Sequence, residues 1–573
     1  MTDNRPDAAR RPVRTAADRF VTAMAELDPS VATFLGLRQD EDRMPDLSPA
    51  GQMARDDLAR SALAALDALP GAGAGGEPAA LADGDERRCA RLLRERLEAF
   101  LAMSEAGENL REVSNTFGPL QRIRGVFLMM PAATADDWAV IARRMTRIPQ
   151  ALDGHRESLA AGAGQGLLAA PRQVTAVTDQ LGTWLSARAG AGWFAEFAAA
   201  AAVPPALRAE LDRAAAATAG AMAGLRDWMI TDYLPQAADT PDGVGEERYR
   251  RSARMWTGAN LDLGEVYEWG WSQYQQLRQD IQAEARHVLP GSAPLEAMRY
   301  LDEFAPAVEG VEQVRLRLQQ MMDDAMTELN GTHFDLAEPL RVVEARIAPS
   351  GSAAAPYYTA PSQDFSRPGR TWLPTLGRTR FPEWNLISVW YHEGVPGHHL
   401  QLAQWVYLSQ QLSVFQTTVG GVSACLEGWA LYAERLMDEL GYLKPTGARL
   451  GYLDAQMMRA VRVVVDLGMH LRLPIPADSP IGAGQAWTPD LASEFFKAHS
   501  GRDAAFVDSE ILRYLSAPGQ AISYKLGERA WLEGREAARA TRGASFDLKA
   551  WHMAALSLGS LGLDDLSAEL AQL

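Results

Sequence analysis

Along most of the chain, apolar residues recur every three or four positions among Ala, Leu, Glu, Arg and Gln, which lays one apolar stripe along an α-helix. Arg88 to Met103, Ala206 to Tyr233 and Leu263 to Val288 carry the pattern most clearly. Two Gly/Pro/Ala-rich stretches, PGAGAGGEPAALADG from Pro70 and AAGAGQGLLAAP from Ala160, interrupt it and read as loops. From about Leu340 to Asn385 the helical period gives way to Pro, Tyr, Thr and Ser, as in APYYTAPSQDFSRPGRTWLPT, and short strands and loops are predicted there. This stretch runs into FPEWNLISVWYHEGVPGHHLQLAQWVYL, a sequence with the apolar content of a buried helix broken by a polar cluster. No fixed-period repeat is visible. The expected fold is mainly α, with a small β/loop region before the HEGVPGHH helix.

The 573 residues allow several domains, or one large helical domain around a cleft. We expect a single domain over 1–573, with two lobes at about 1–340 and 341–573. With 47% hydrophobic and 23% charged residues the chain can bury a large core, unlike a disordered chain. Net charge is −17 and no dense Lys/Arg run occurs, which argues against a nucleic-acid partner. The acidity itself reads as ordinary solubility rather than a substrate signal. Two cysteines, Cys89 and Cys425, make no disulfide framework and fit a reducing compartment. The first twenty residues lack an apolar segment behind their basic ones, and no run of eighteen apolar residues occurs. The expectation is a cytoplasmic protein with no membrane partner; the oligomeric state stays open.

Three of the nine histidines, His392, His398 and His399, fall within eight residues beside Glu393. Zinc accepts imidazole nitrogen and carboxylate oxygen, and a catalytic site uses three protein ligands and keeps a fourth position open. In the HExxH pattern two histidines one turn apart share the metal while the adjacent Glu faces water as general base. Here His392 and His398 are six apart, roughly 120° around an undistorted helix. Pro396 and Gly397 stand just before His398, and a kink there can rotate it back. His399 is the rival, since a step of seven regains the face but lies on the order of 10 Å further along the axis. The third ligand is expected on CLEGWALYAERLMDELG, where Glu427 at the helix start is preferred and Glu434 can pair with Arg435. The plainer alternative for Glu427 is a carboxylate stabilising a helix N-terminus.

These residues resemble the bacterial domain-of-unknown-function family numbered eight hundred and eighty-five, whose motif is HExxPGHxxQ followed by an EGWALY-like helix. Both parts are present, from His392 to Gln401 and from Glu427 to Tyr432. The likeness runs from LDPSVATFLGLRQDEDRMPDLSP to YLSAPGQAISYKLGERAWLEGREAA. That family looks like a distant relative of the gluzincin metallopeptidases of the largely helical converting-enzyme and oligopeptidase type. The resemblance implies one zinc ion on His392, His398 and Glu427, with Glu393 as base, in a metallopeptidase-like fold with a central cleft.

An oxyanion formed by attack on a carbonyl needs a further donor. ILRYLSAPGQAISYKLG supplies Tyr514, Tyr524, Gln520 and Lys525. Its Arg-Tyr followed by Gln is similar to the segment carrying the transition-state tyrosine in converting-enzyme-like peptidases, so Tyr514 comes first and Tyr524 second, each alternatively a core tyrosine. MMRAVRVVVDLGMHL places Arg459, Arg462, Asp466 and His470 on one polar stripe. Arg462 or Arg459 can bind a substrate carboxylate and His470 can act at the reaction centre; alternatively Arg462 and Asp466 pair to fix packing. His399 and Gln520 complete the candidate substrate contacts. The expected activity is zinc-dependent hydrolysis of amide bonds in small peptides or peptide-like molecules. The alternatives are a metal-binding protein without hydrolysis, or an iron or manganese enzyme on the same ligands.

Overall fold

The computed structural model describes residues 11–38, 40–69, 83–348, 355–444 and 446–573. It is 67% helix and 4% strand, mainly α as the periodicity predicts. Leu263–Val288 forms a helix with the predicted ends: Asp262 caps the N–H groups of Gly264 and Glu265, and Arg286 and His287 occupy the last turn. The predicted 206–233 helix is α-helical over Pro205–Trp228 and widens into a π-turn at Met229–Tyr233. Pro235 brings no N–H to the ladder and crowds the carbonyl four residues back, so the register opens there. The third predicted helix spans Gly84–Glu105.

Of the two predicted loops, the one from Pro70 lies outside the described residues as far as Ala82. In the other, Ala160 to Ala163 still belong to the Ile148–Ala163 helix, whose last turn packs so closely that a Cβ on Gly162 would fall 2.2 Å from Leu110 O.

Two compact units interleave along the chain. The first comprises Met1–Gly76, Leu97–Glu247 and Asp508–Pro518. Its core is one apolar cluster that includes Leu120, Phe127, Trp138, Leu181, Met222 and Tyr233. Phe127 meets Phe194 edge to face at 5.2 Å, and Trp193 stacks on Phe197 at 5.3 Å.

The second unit comprises Glu77–Arg96, Arg248–Val507 and Gly519–Leu573. The predicted irregular region yields a three-stranded sheet in which Gly369–Leu373 lies in the middle, parallel to Val343–Ile347 and antiparallel to Tyr357–Thr359. Arg380–Pro382 pairs separately with Ala307–Glu309. In the same unit, the Ala448–Leu471 helix has 22 of its 24 residues buried. The Ser423–Glu439 and Ser523–Arg542 helices approach backbone to backbone at Gly428 and Gly527, where a Cβ on Gly428 would fall 2.4 Å from the Gly527 carbonyl carbon. Among the described residues no helix is long and apolar enough to cross a membrane.

Candidate metal centre

The polar interruption is a true break in the helix. Ile387–Glu393 ends at Gly394 and a new helix, His398–Tyr407, starts four residues later. Between them the Val395–Pro396 peptide is cis. The chain doubles back on the first helix, with the Gly397 N–H donating to Tyr391 O at 3.0 Å. A Cβ on Gly397 would lie 1.9 Å from His392 O, so the close return requires glycine. From the neighbouring helix the Trp429 indole donates to the carbonyls of Pro396 and Gly397, at 3.0 and 3.1 Å. The two imidazoles, six residues apart, therefore stand face to edge with ring centroids 4.9 Å apart.

Glu427 completes the cluster from Ser423–Glu439. Its Oε2 lies 3.3 Å from His392 Nε2 and 3.6 Å from His398 Nε2. Two donors about 2.1 Å from one tetrahedral zinc ion are about 3.4 Å apart, so the spacing fits such an ion. Glu427 Oε2 and His398 Nδ1 are buried without a hydrogen-bond partner, and a cation shared with the imidazoles would satisfy the oxygen. The donor atoms of His392, Glu393 and His398 also lie within 4.8 Å of one another. Glu427 suits the place of a third ligand better than Glu393, because a single oxygen of Glu427 faces both Nε2 atoms. Glu393 then stands beside the site, where its carboxyl group can hold or pass a proton.

The electrostatics separate the two acids. Burial pushes the Glu393 carboxyl up to about 8, with His398 opposing the shift and Glu427 adding to it. Burial also disfavours ionised Glu427, but His392 and His398 outweigh it and hold its carboxyl well below the ordinary range. For His392, burial lowers the pKa and its contacts with Glu427 and Glu434 raise it, with a net rise.

Several expectations need correction. Glu427 is not at the helix start, because the helix begins at Ser423, so N-terminal stabilisation does not explain an acid there. Glu434 does not pair with Arg435; adjacent helical residues point apart, and Arg435 reaches Glu528 at 2.9 Å. Instead Glu434 accepts from His392 Nδ1 at 2.8 Å and from Ser388, and pairs with Arg459 Nη2 at 3.0 Å. Ser388 had no distinguishing mark in the sequence beyond standing one turn before His392. His399 is turned from the cluster: its Nε2–H donates to Leu340 O at 2.7 Å and its Nδ1 accepts from Tyr358 at 2.9 Å. Burial lowers its pKa to about 4, and this neutral ring fastens the sheet to the helix in place of a substrate.

The downstream candidates are dispersed. Tyr514 belongs to the first unit, fully buried, its hydroxyl donating to Glu510 at 2.6 Å. Tyr524, half-buried in the second unit, lies 4.8 Å beneath the Arg462 guanidinium. Asp466 accepts from Tyr249 at 2.6 Å and from the Gly519 N–H at 2.9 Å, with buried His470 3.8 Å away. The carbonyl of Gln520 accepts from Ser523 at 2.6 Å. Lys525 is buried between Gln456, at 2.9 Å, and Glu528.

Two solved structures share the fold. The "putative lipoprotein from Colwellia psychrerythraea" aligns with a TM-score of 0.83 and 22% identity over 98% of this chain and 99% of its own. The "putative lipoprotein of unknown function from Shewanella oneidensis" aligns with a TM-score of 0.73 and 17% identity over 97% and 99%. No curated protein matches the chain. The family model described as Bacterial protein of unknown function (DUF885) matches residues 29–570, and the chain belongs to that family.

Proposed function

We propose that the protein is a zinc-dependent hydrolase of amide bonds in small peptides or peptide-like molecules. The observation that carries this reading is the convergence of His392 Nε2, His398 Nε2 and Glu427 Oε2, at 3.3 and 3.6 Å, beside a fourth protein group able to move a proton. His392, His398 and Glu427 would hold a zinc ion, which when bound would supply a Lewis acid for a carbonyl oxygen. Glu393 takes the proton of the attacking water and returns it to the leaving nitrogen. Tyr524 and Arg462, which lie together in this unit, are the candidates for holding the substrate. The peptide class comes from the likeness to helical gluzincin peptidases.

The test is Glu393→Gln. The variant should keep one zinc per chain by elemental analysis while peptide-library cleavage falls about 10²–10⁴-fold. Undiminished cleavage would remove Glu393 from the base role, and wild-type protein with stoichiometric zinc that cleaves nothing would favour metal binding without hydrolysis. For the compartment, two buried cysteines that form no disulfide support the cytoplasm, whereas both structural relatives are named as lipoproteins. Cell fractionation decides between these.

A further inference from the structure

We infer that Ser388, Glu434 and Arg459 form a positioning chain for the metal centre, acting through His392 Nδ1–H, and that Arg459 serves this chain rather than a substrate. The inference rests on the metal reading above.

Ser388 and His392 are one helical turn apart on Ile387–Glu393, so both side chains leave the same face. They grip the two oxygens of one carboxylate: His392 Nδ1 donates to Glu434 Oε1 at 2.8 Å, and the Ser388 hydroxyl donates to Oε2. Glu434 is thus clamped to that helix at two points a turn apart, immediately before the break at Gly394. Arg459 Nη2, 3.0 Å from Oε1, supplies the counter-charge to this fully buried carboxyl group. The carboxylate acceptor on Nδ1 fixes the orientation of the ring and leaves Nε2, 3.3 Å from Glu427 Oε2, as its ligand atom.

The second imidazole has no equivalent. His398 Nδ1 is buried without an acceptor. Orientation of the donor set therefore falls on His392 and on the groups behind it. Arg459 also leaves Nε and Nη1 buried without partners, so a substrate carboxylate is the rival reason for its presence.

The two roles differ in what they do to the metal. In the full-length protein, Glu434→Gln and Arg459→Met should each weaken zinc binding about 10–100-fold in a chelator competition. Both should also change the visible spectrum of the cobalt-substituted protein, because the His392 ring is released. Ser388→Ala, which removes one hydroxyl and guards against a fold defect in the others, should shift both readouts in the same direction by less. Arg459→Lys, which restores the charge, should recover most of the affinity. Wild-type zinc affinity and an unchanged cobalt spectrum in Arg459→Met would overturn the inference, as would failure of Arg459→Lys to recover any affinity. Wild-type protein that takes up neither zinc nor cobalt would instead defeat the metal reading itself, and the positioning role with it.

Discussion

Two helices of equal length show how differently this chain builds its interior. Pro205–Trp228 and Ala448–Leu471 each have 24 residues. The first, in one unit, buries a single stripe of six, Leu211, Ala214, Ala215, Thr218, Met222 and Leu225, and leaves its other faces to solvent. The second, in the other unit, buries nearly every residue, among them Asp454, Gln456, Arg459, Arg462, Asp466 and His470. An apolar stripe needs only to be covered, whereas each buried polar group needs a partner of matching chemistry. The partners of the second helix come from distant segments: Gly501 for Asp454, Lys525 for Gln456, Glu434 for Arg459, Tyr249 and Gly519 for Asp466. Such a helix is specified by its surroundings rather than by its own period.

The contrast is open to mutation. Asp466→Ala strands the Tyr249 hydroxyl and the Gly519 N–H, and at about 1–3 kcal/mol for each buried unsatisfied donor the unfolding free energy should fall by about 2–6 kcal/mol in urea titrations. Met222→Ala, on the ordinary helix, should lose about 2–5 kcal/mol through lost burial and the cavity left behind. Recovery in Asp466→Asn but not in Asp466→Leu would show that hydrogen bonding, not volume, holds the second helix. His155 is one of the polar side chains that the first unit buries. Burial lowers its pKa from 6.5 to about 4, so the folded chain keeps it neutral where the unfolded chain binds a proton. Its contribution is complete above pH 6.5 and is lost as pH falls towards 4, by up to about 3 kcal/mol. Unfolding midpoints of wild type and His155→Gln between pH 8 and 4 should converge in acid; parallel curves would break this account. Arg213→Ala, on the exposed face of Pro205–Trp228, should change stability by no more than about 0.5 kcal/mol.

Much of the site was legible where the cause is local. The break between His392 and His398 follows from Pro396 and Gly397, because missing donors and missing side chains act within a few residues. The ends of Leu263–Val288 follow from its cap and its apolar period. What could not be read depends on meetings between helices. Nothing in the spacing of Glu434 tells that it faces Ser388 and His392 rather than its neighbour Arg435, and Arg459 shows only that it lies on a polar stripe. Tyr514 carries a similar warning: its motif neighbours stand close in sequence, yet it falls in the first unit while Gln520 and Tyr524 fall in the second.

Because residues 394–397 belong to neither flanking helix, the angle between the two imidazoles is set by a turn and not by helical pitch. A continuous helix offers ligand positions only in steps of about 1.5 Å along its axis and about 100° around it. A doubled-back chain is free of that ruler. Ligand pairs at spacings that no regular helix would allow become usable wherever a residue without a side chain lets the backbone fold onto itself.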